Sequence, residues 1–113
     1  MAQYLISFED GTMVFPEEEL PDVARAAQAV VQEARKAGVW VFGGGIDYDA
    51  DASTVATDGT VTDGPFPETK ERLGGFALVD VPTREEALEW AAKISVACRC
   101  AQDVRELMPD PTV

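Results

Sequence analysis

The sequence predicts an α+β fold, a split βαβ plait with an accessory hairpin, on three observations. First, the periodicities run strand, helix, strand, a short hairpin, then strand, helix, strand. Second, that order matches a four-stranded, mostly antiparallel sheet with both helices on one face. Third, Val39-Trp40-Val41-Phe42 and Phe76-Ala77-Leu78-Val79 are apolar at every position. A sheet wet on one side should alternate apolar and polar residues. The uncovered side would then expose more apolar surface than a monomer usually tolerates. Packing a second copy sheet to sheet removes the conflict, so a homodimer is expected.

The elements follow in order. Gln3 to Phe8 reads as a strand with Tyr4, Ile6 and Phe8 on one face. Past Asp10-Gly11 and the entry between Pro16 and Pro21, a helix runs to about Ala37, its stripe Val23, Ala27, Val30, Val31, Ala34 and Ala37. Pro21 suits the first helical turn and Gly38 the left-handed residue beyond the end. Val39 to Phe42 is the second strand, running into Gly43-Gly44-Gly45, where the backbone can bend. Ser53–Thr57 and Thr60–Thr62 flank Asp58-Gly59, a hairpin-turn signal. Phe76 to Val81 is the next long strand. Thr83 with Glu86 is a capping box opening the second helix, with Leu88, Ala91, Ala92 and Ser95 inward and Trp90 and Ile94 widening the stripe. Ala101 to Met108 is a weaker last strand. One domain is expected over residues 1–108, with 109–113 a frayed tail.

Bulk properties narrow the function. The chain has 113 residues, 46% of them hydrophobic and 27% charged, as in a soluble globular domain. Its net charge of -12 argues against nucleic acid or an anionic membrane as partner. The acidity reads as a solubility device in preference to a recognition patch. No stretch approaches the ~20 apolar residues of a membrane span, and the N-terminus does not resemble a signal peptide. Cys98 and Cys100 are separated by one residue, too close for an unstrained disulfide, so a cytoplasmic setting is expected. Histidine is absent, which removes the commonest general acid–base and nitrogen metal ligand.

Asp63-Gly64-Pro65-Phe66 has two compatible readings. As structure, Gly64 permits an unusual φ, Pro65 fixes one, Asp63 accepts hydrogen bonds from turn amides, and Phe66 anchors the corner. As chemistry, Asp63 is a pocket carboxylate acting as general base among apolar walls such as Trp40 and Phe42. The structural role is preferred. Glu68, Lys70, Glu71 and Arg72 read as a solvated helical turn before they read as catalysts. Gly74-Gly75 either lets a ligand lie on the backbone or forms a bulge that starts the strand, and the bulge is preferred. Asp47, Asp49, Asp51 and Asp58 imitate a calcium loop. Ala52 stands at its glycine position and no helix flanks it, so a hydrated acidic loop is the better reading. The two cysteines are half a zinc site with no second half. Neither a P-loop nor a dinucleotide fingerprint is present.

A longer run carries a family resemblance: Asp58-Gly59, Thr62-Asp63-Gly64-Pro65-Phe66, Glu68-Thr69-Lys70-Glu71, Leu73-Gly74-Gly75-Phe76, Glu86-Ala87 and Glu89-Trp90-Ala91-Ala92. It resembles the YCII-related family in its DGPF branch, most closely from about Val55 to Ile94. The resemblance implies a dimeric α+β barrel on the ferredoxin-like plait. It also implies kinship with small enzymes such as muconolactone isomerase-like proteins, and with modules attached to regulatory proteins, including sigma factors. A His–Asp pair attributed to some relatives has no counterpart here, since the chain has no histidine.

The expectation is therefore a homodimer that binds a small organic molecule, without a cofactor or metal. Its pocket would be lined by Tyr4, Trp40, Phe42, Phe66 and Phe76. Asp63 would serve as base for a cofactor-free isomerase or lyase. The alternative is a non-catalytic dimeric interaction or regulatory module.

Overall fold

In this computed structural model, residues 1–64 and 72–110 are described. Strand β1 (Ala2–Glu9) supplies the centre of the sheet. Its period of two sends Tyr4 and Ile6 under the helices and Leu5 and Ser7 to the opposite face. A short 3₁₀ turn (Glu17–Glu19) leads into α1 (Leu20–Lys36), which starts with Pro21 in its first turn as expected. Val23 and Ala34 are its fully buried residues, with Ala27, Val30 and Val31 half-buried. Gly38 ends it at φ +75°, and the Val39 amide donates back to the Ala34 carbonyl at 3.1 Å.

Strand β2 (Trp40–Gly45) differs from the expected Val39–Phe42, because all three glycines continue the ladder instead of breaking it. The hairpin forms from β3 (Ser53–Val55) and β4 (Val61–Asp63), turning at Gly59 with φ +89°. Strand β5 (Leu73–Val81) also starts earlier than expected. Its Gly74 is the extra residue where the pairing with β1 shifts between Phe8 and Glu9, so the bulge reading of this glycine pair describes the backbone.

Helix α2 (Arg84–Cys98) opens with Thr83 Oγ1 accepting from the Glu86 amide at 3.2 Å. Its inward face needs correction. Ala87, Ala91 and Ala97 are buried, Trp90 and Ile94 pack beside them, and Leu88 and Ala92 are exposed. Alanines recur around this helix, so composition alone defines its stripe poorly. The helix ends at Arg99, held at φ +59°, whose guanidinium donates to Glu19 at 2.8 Å and ties the exit of α2 to the entry of α1. Lys93 and Glu33 form an ion pair between the two helices. Strand β6 (Asp103–Glu106) closes the chain's sheet.

The four-stranded sheet has the order β2-β5-β1-β6, with every pairing antiparallel. That is the plait expected, an α+β ferredoxin-like arrangement. The core lies between sheet and helices: Tyr4, Ile6, Ala77, Val79 and Val81 meet Ala34, Ala87 and Ala91. Small alanines let the helices sit close to the larger strand residues. Among the described residues, no helix is long and apolar enough to cross a membrane.

Candidate functional site

The side of the sheet away from the helices is where an open site can form. Register places Leu5, Ser7, Phe76, Leu78 and Asp80 there, with Arg105 and Asp103 on the β6 flank. A bulge in β2 sets the other flank. Trp40 pairs with Val79 and Phe42 with Leu78, which leaves Val41 as the extra residue. The bulge turns Phe42 onto the open side, where it is 62% exposed and meets Phe76 at a ring separation of 6.1 Å, tilted by 49°. Near that aromatic pair lies Ser7, whose cross-strand neighbours are Phe76 and Asp103. Ser7 is 0% exposed and among the described residues its hydroxyl has no hydrogen-bond partner, an uncommon state for a buried polar atom. Oδ1 of Asp80, on the same face, is also buried without a partner.

This arrangement divides the lining expected from sequence. Phe42 and Phe76 come together, but Tyr4 and Trp40 lie on the helix side of the sheet. Tyr4 is buried, and its hydroxyl donates to Glu106 Oε1 at 2.8 Å. That bond, with burial and the negative charge of Glu106, raises the phenol's pKa above its ordinary value. Trp40 folds its indole over Gly43, where an added Cβ would stand 2.7 Å from the ring and 2.6 Å from the Phe76 carbonyl oxygen. One sheet cannot present residues of both faces to one pocket. Phe66 and Pro65 lie outside the described residues, as do Glu68, Lys70 and Glu71.

Asp63 belongs to the hairpin. It is exposed, and its carboxylate accepts from the Ser53 hydroxyl at 2.8 Å instead of from the turn amides expected. The neighbouring Gly64 amide donates to the Ala52 carbonyl at 2.7 Å, closing the hairpin base. The Phe8 ring lies against Gly74 and Gly75, where an added Cβ would approach it to 2.6 and 2.9 Å, so that side of the glycine pair is closed to a ligand. Arg72 is not part of a helical turn. Its guanidinium lies 3.9 Å from the Tyr48 ring centre and 3.7 Å from Asp10, while the Tyr48 hydroxyl donates to the Leu73 carbonyl at 2.7 Å.

The acidic loop spends its carboxylates locally. Asp47 accepts from the Asp49 amide and Asp58 from the Thr60 amide, both at 2.9 Å. Hydrogen bonds from Thr60 lower the Asp58 pKa. No group of three or more potential metal-ligating side chains converges among the described residues. Cys98 and Cys100 are free thiols, and burial raises the Cys98 pKa, with a further contribution from Cys100. Sequence reasoning missed Ser7. Its signal was a single hydroxyl within the apolar run of β1, but an isolated serine does not announce whether it is paired.

Fold and surface together define a small α+β plait whose sheet carries both helices on one face. The model of the YCII-related domain family matches residues 3–109, so the chain belongs to that family. An uncharacterized protein of Rhizobium meliloti (strain 1021) is 54% identical over 37 residues, a span covering 33% of this chain and only 30% of the relative. The fold resembles that of 5-chloro-2-hydroxyhydroquinone dehydrochlorinase (TftG) from Burkholderia phenoliruptrix AC1100, solved in complex with 2,5-dihydroxybenzoquinone. The TM-score is 0.54 with 14% identity, covering 97% of both chains.

Proposed function

We propose that this YCII-related protein, of the DGPF branch, is a cytoplasmic homodimer. Its open sheet faces pair and bind a small organic molecule against Phe42 and Phe76. The observation that carries this reading is the exposed Phe42 ring set against the half-buried Phe76 on the sheet side away from the helices. A planar ring stacks on aromatic faces. TftG, of similar fold, has been solved with a hydroxylated quinone, which makes oxygenated rings the first class to try. Any turnover would be acid–base isomerisation or elimination with Asp63 as base. Its engagement by Ser53 favours binding without turnover, the role of a non-catalytic regulatory module.

Sedimentation at micromolar concentration tests the dimer, and a monomer there contradicts it. Thermal shift against phenols, quinones and aromatic acids tests the ligand class, since a bound ligand raises Tm by linkage. For the leading compound, unchanged affinity and activity in Asp63→Asn would remove that carboxylate from the site.

A further inference from the structure

We propose that the β3–β4 hairpin is an intersubunit arm, seating its valine face on the β2–β5 side of the partner's open sheet. This rests on the dimer proposed above and adds what holds it together. All six residues of the two strands are exposed, although a two-stranded hairpin is only marginally stable in water. Val55 and Val61 face each other across the ladder and are 66% and 60% exposed. Alternation puts Ser53 and Asp63 on that same face, and the bond between them agrees. The opposite face carries Thr54 and Thr62. One side of the hairpin thus carries two valines, a serine and a single carboxylate, and no described residue of its own chain buries the valines.

The molecule's shape gives the arm its direction. Its extents are 44 × 43 × 21 Å, and the thin dimension is that of one helix layer on one sheet. The hairpin therefore does not fold back over its own open face. The radius of gyration of 15.8 Å agrees, exceeding the about 13 Å typical of a compact domain near this length. Its root is fixed: the Ile46 amide donates to the Gly74 carbonyl at 2.9 Å, and Tyr48 is held by Leu73 and Arg72. A fixed root and an unburied apolar tip are the makings of a docking arm.

A second copy is the occupant that the surface area favours. Four short strands offer about 400 Å² of flat face. A stable interface buries about 800 Å² of accessible surface per partner, so area beyond the sheet's flat outline strengthens the pairing. Two arms, each crossing to the other subunit, supply further area and join β2 by the short chain segment that holds Ile46 and Tyr48. The same seating carries Asp63 of each chain towards the Phe42–Phe76 wall of the other, so each ligand site would be built from two chains.

Benzophenone attached at Val61→Cys, in a Cys98→Ser/Cys100→Ser background, provides the direct test on mixed ¹⁴N and ¹⁵N protein. Illumination should give covalent dimers whose cross-links join the two isotopes and map to residues 40–45 or 73–81. Cross-links confined to one chain, or to the helices, overturn the arm. Should the labelled protein fold poorly, Val55→Asp/Val61→Asp reads the same contact. It should raise the dimer dissociation constant at least tenfold with an unchanged circular dichroism spectrum, whereas Thr54→Asp should change it less than twofold. An undisturbed dimer in the double variant overturns the arm. Phe42→Asp separates the two ideas: if it alone splits the dimer, the paired sheets stand without the arm. A monomeric wild type overturns both.

Discussion

Tyr4 and Glu106 join the first strand to the last: the phenol beneath the helices donates to the carboxylate at 2.8 Å across the β1–β6 pairing. β6 is short and, among the described strands, pairs with β1 at the edge of the sheet, so this bond is a side-chain clamp on that edge. Tyr4→Phe removes the clamp while keeping the ring, and should lower Tm by roughly 5 °C. The raised phenol pKa adds a pH signature. Stability from a raised pKa is fully present below the unfolded value of 10.0 and is lost as pH climbs through the folded one. Wild type should therefore lose stability above pH 10 more steeply than Tyr4→Phe in denaturant titrations, and parallel curves would contradict this.

Gly43 exists to make room. An added methyl would collide with a backbone carbonyl and the Trp40 indole, so Gly43→Ala should cost about 1–3 kcal/mol and shift the tryptophan emission. Gly44, with nothing within 4 Å of a built Cβ, is the contrast. Gly44→Ala should leave Tm within about 2 °C of wild type. Equal losses at both positions would show that strand flexibility, not ring packing, requires the glycines.

The proposed dimer would bring together two bodies of charge -12 each. Raising the salt from about 20 to 500 mM shortens the Debye length from about 20 to 4 Å, so the dissociation constant should fall by about tenfold. Sedimentation at the two ionic strengths reads this directly. A dimer weakened by salt would mean that attractive charge pairs, not apolar surface, hold it.

The Cys98 thiol, half-buried near the end of α2, has its pKa raised chiefly by burial. At neutral pH it should therefore react several-fold more slowly with a disulfide reagent than in urea, measured in Cys100→Ser. Equal rates in the folded and unfolded protein would refute this protection. The sign for stability follows: the contribution is present below the ordinary thiol value and declines as pH rises through the folded one.

Much of the fold was legible in the residues. Apolar spacing, Pro21 and Gly38 around α1, the Thr83 cap and the Asp58-Gly59 turn are local signals, each readable within a few positions. They set the order of elements, and that order permits few sheets besides this plait. What sequence could not supply was the side each aromatic takes. Alternation has no absolute origin, and a one-residue bulge at Val41 separates Trp40, packed in the core, from Phe42, turned outward. Nor could it show that the Ser7 hydroxyl has no partner among the described residues, or that the Phe8 ring lies over Gly74 and Gly75. Those facts arise from lateral pairing between residues far apart in the chain, such as Trp40 with Val79 and Ser7 with Phe76, and only the closed tertiary structure decides which side chains such pairing makes neighbours.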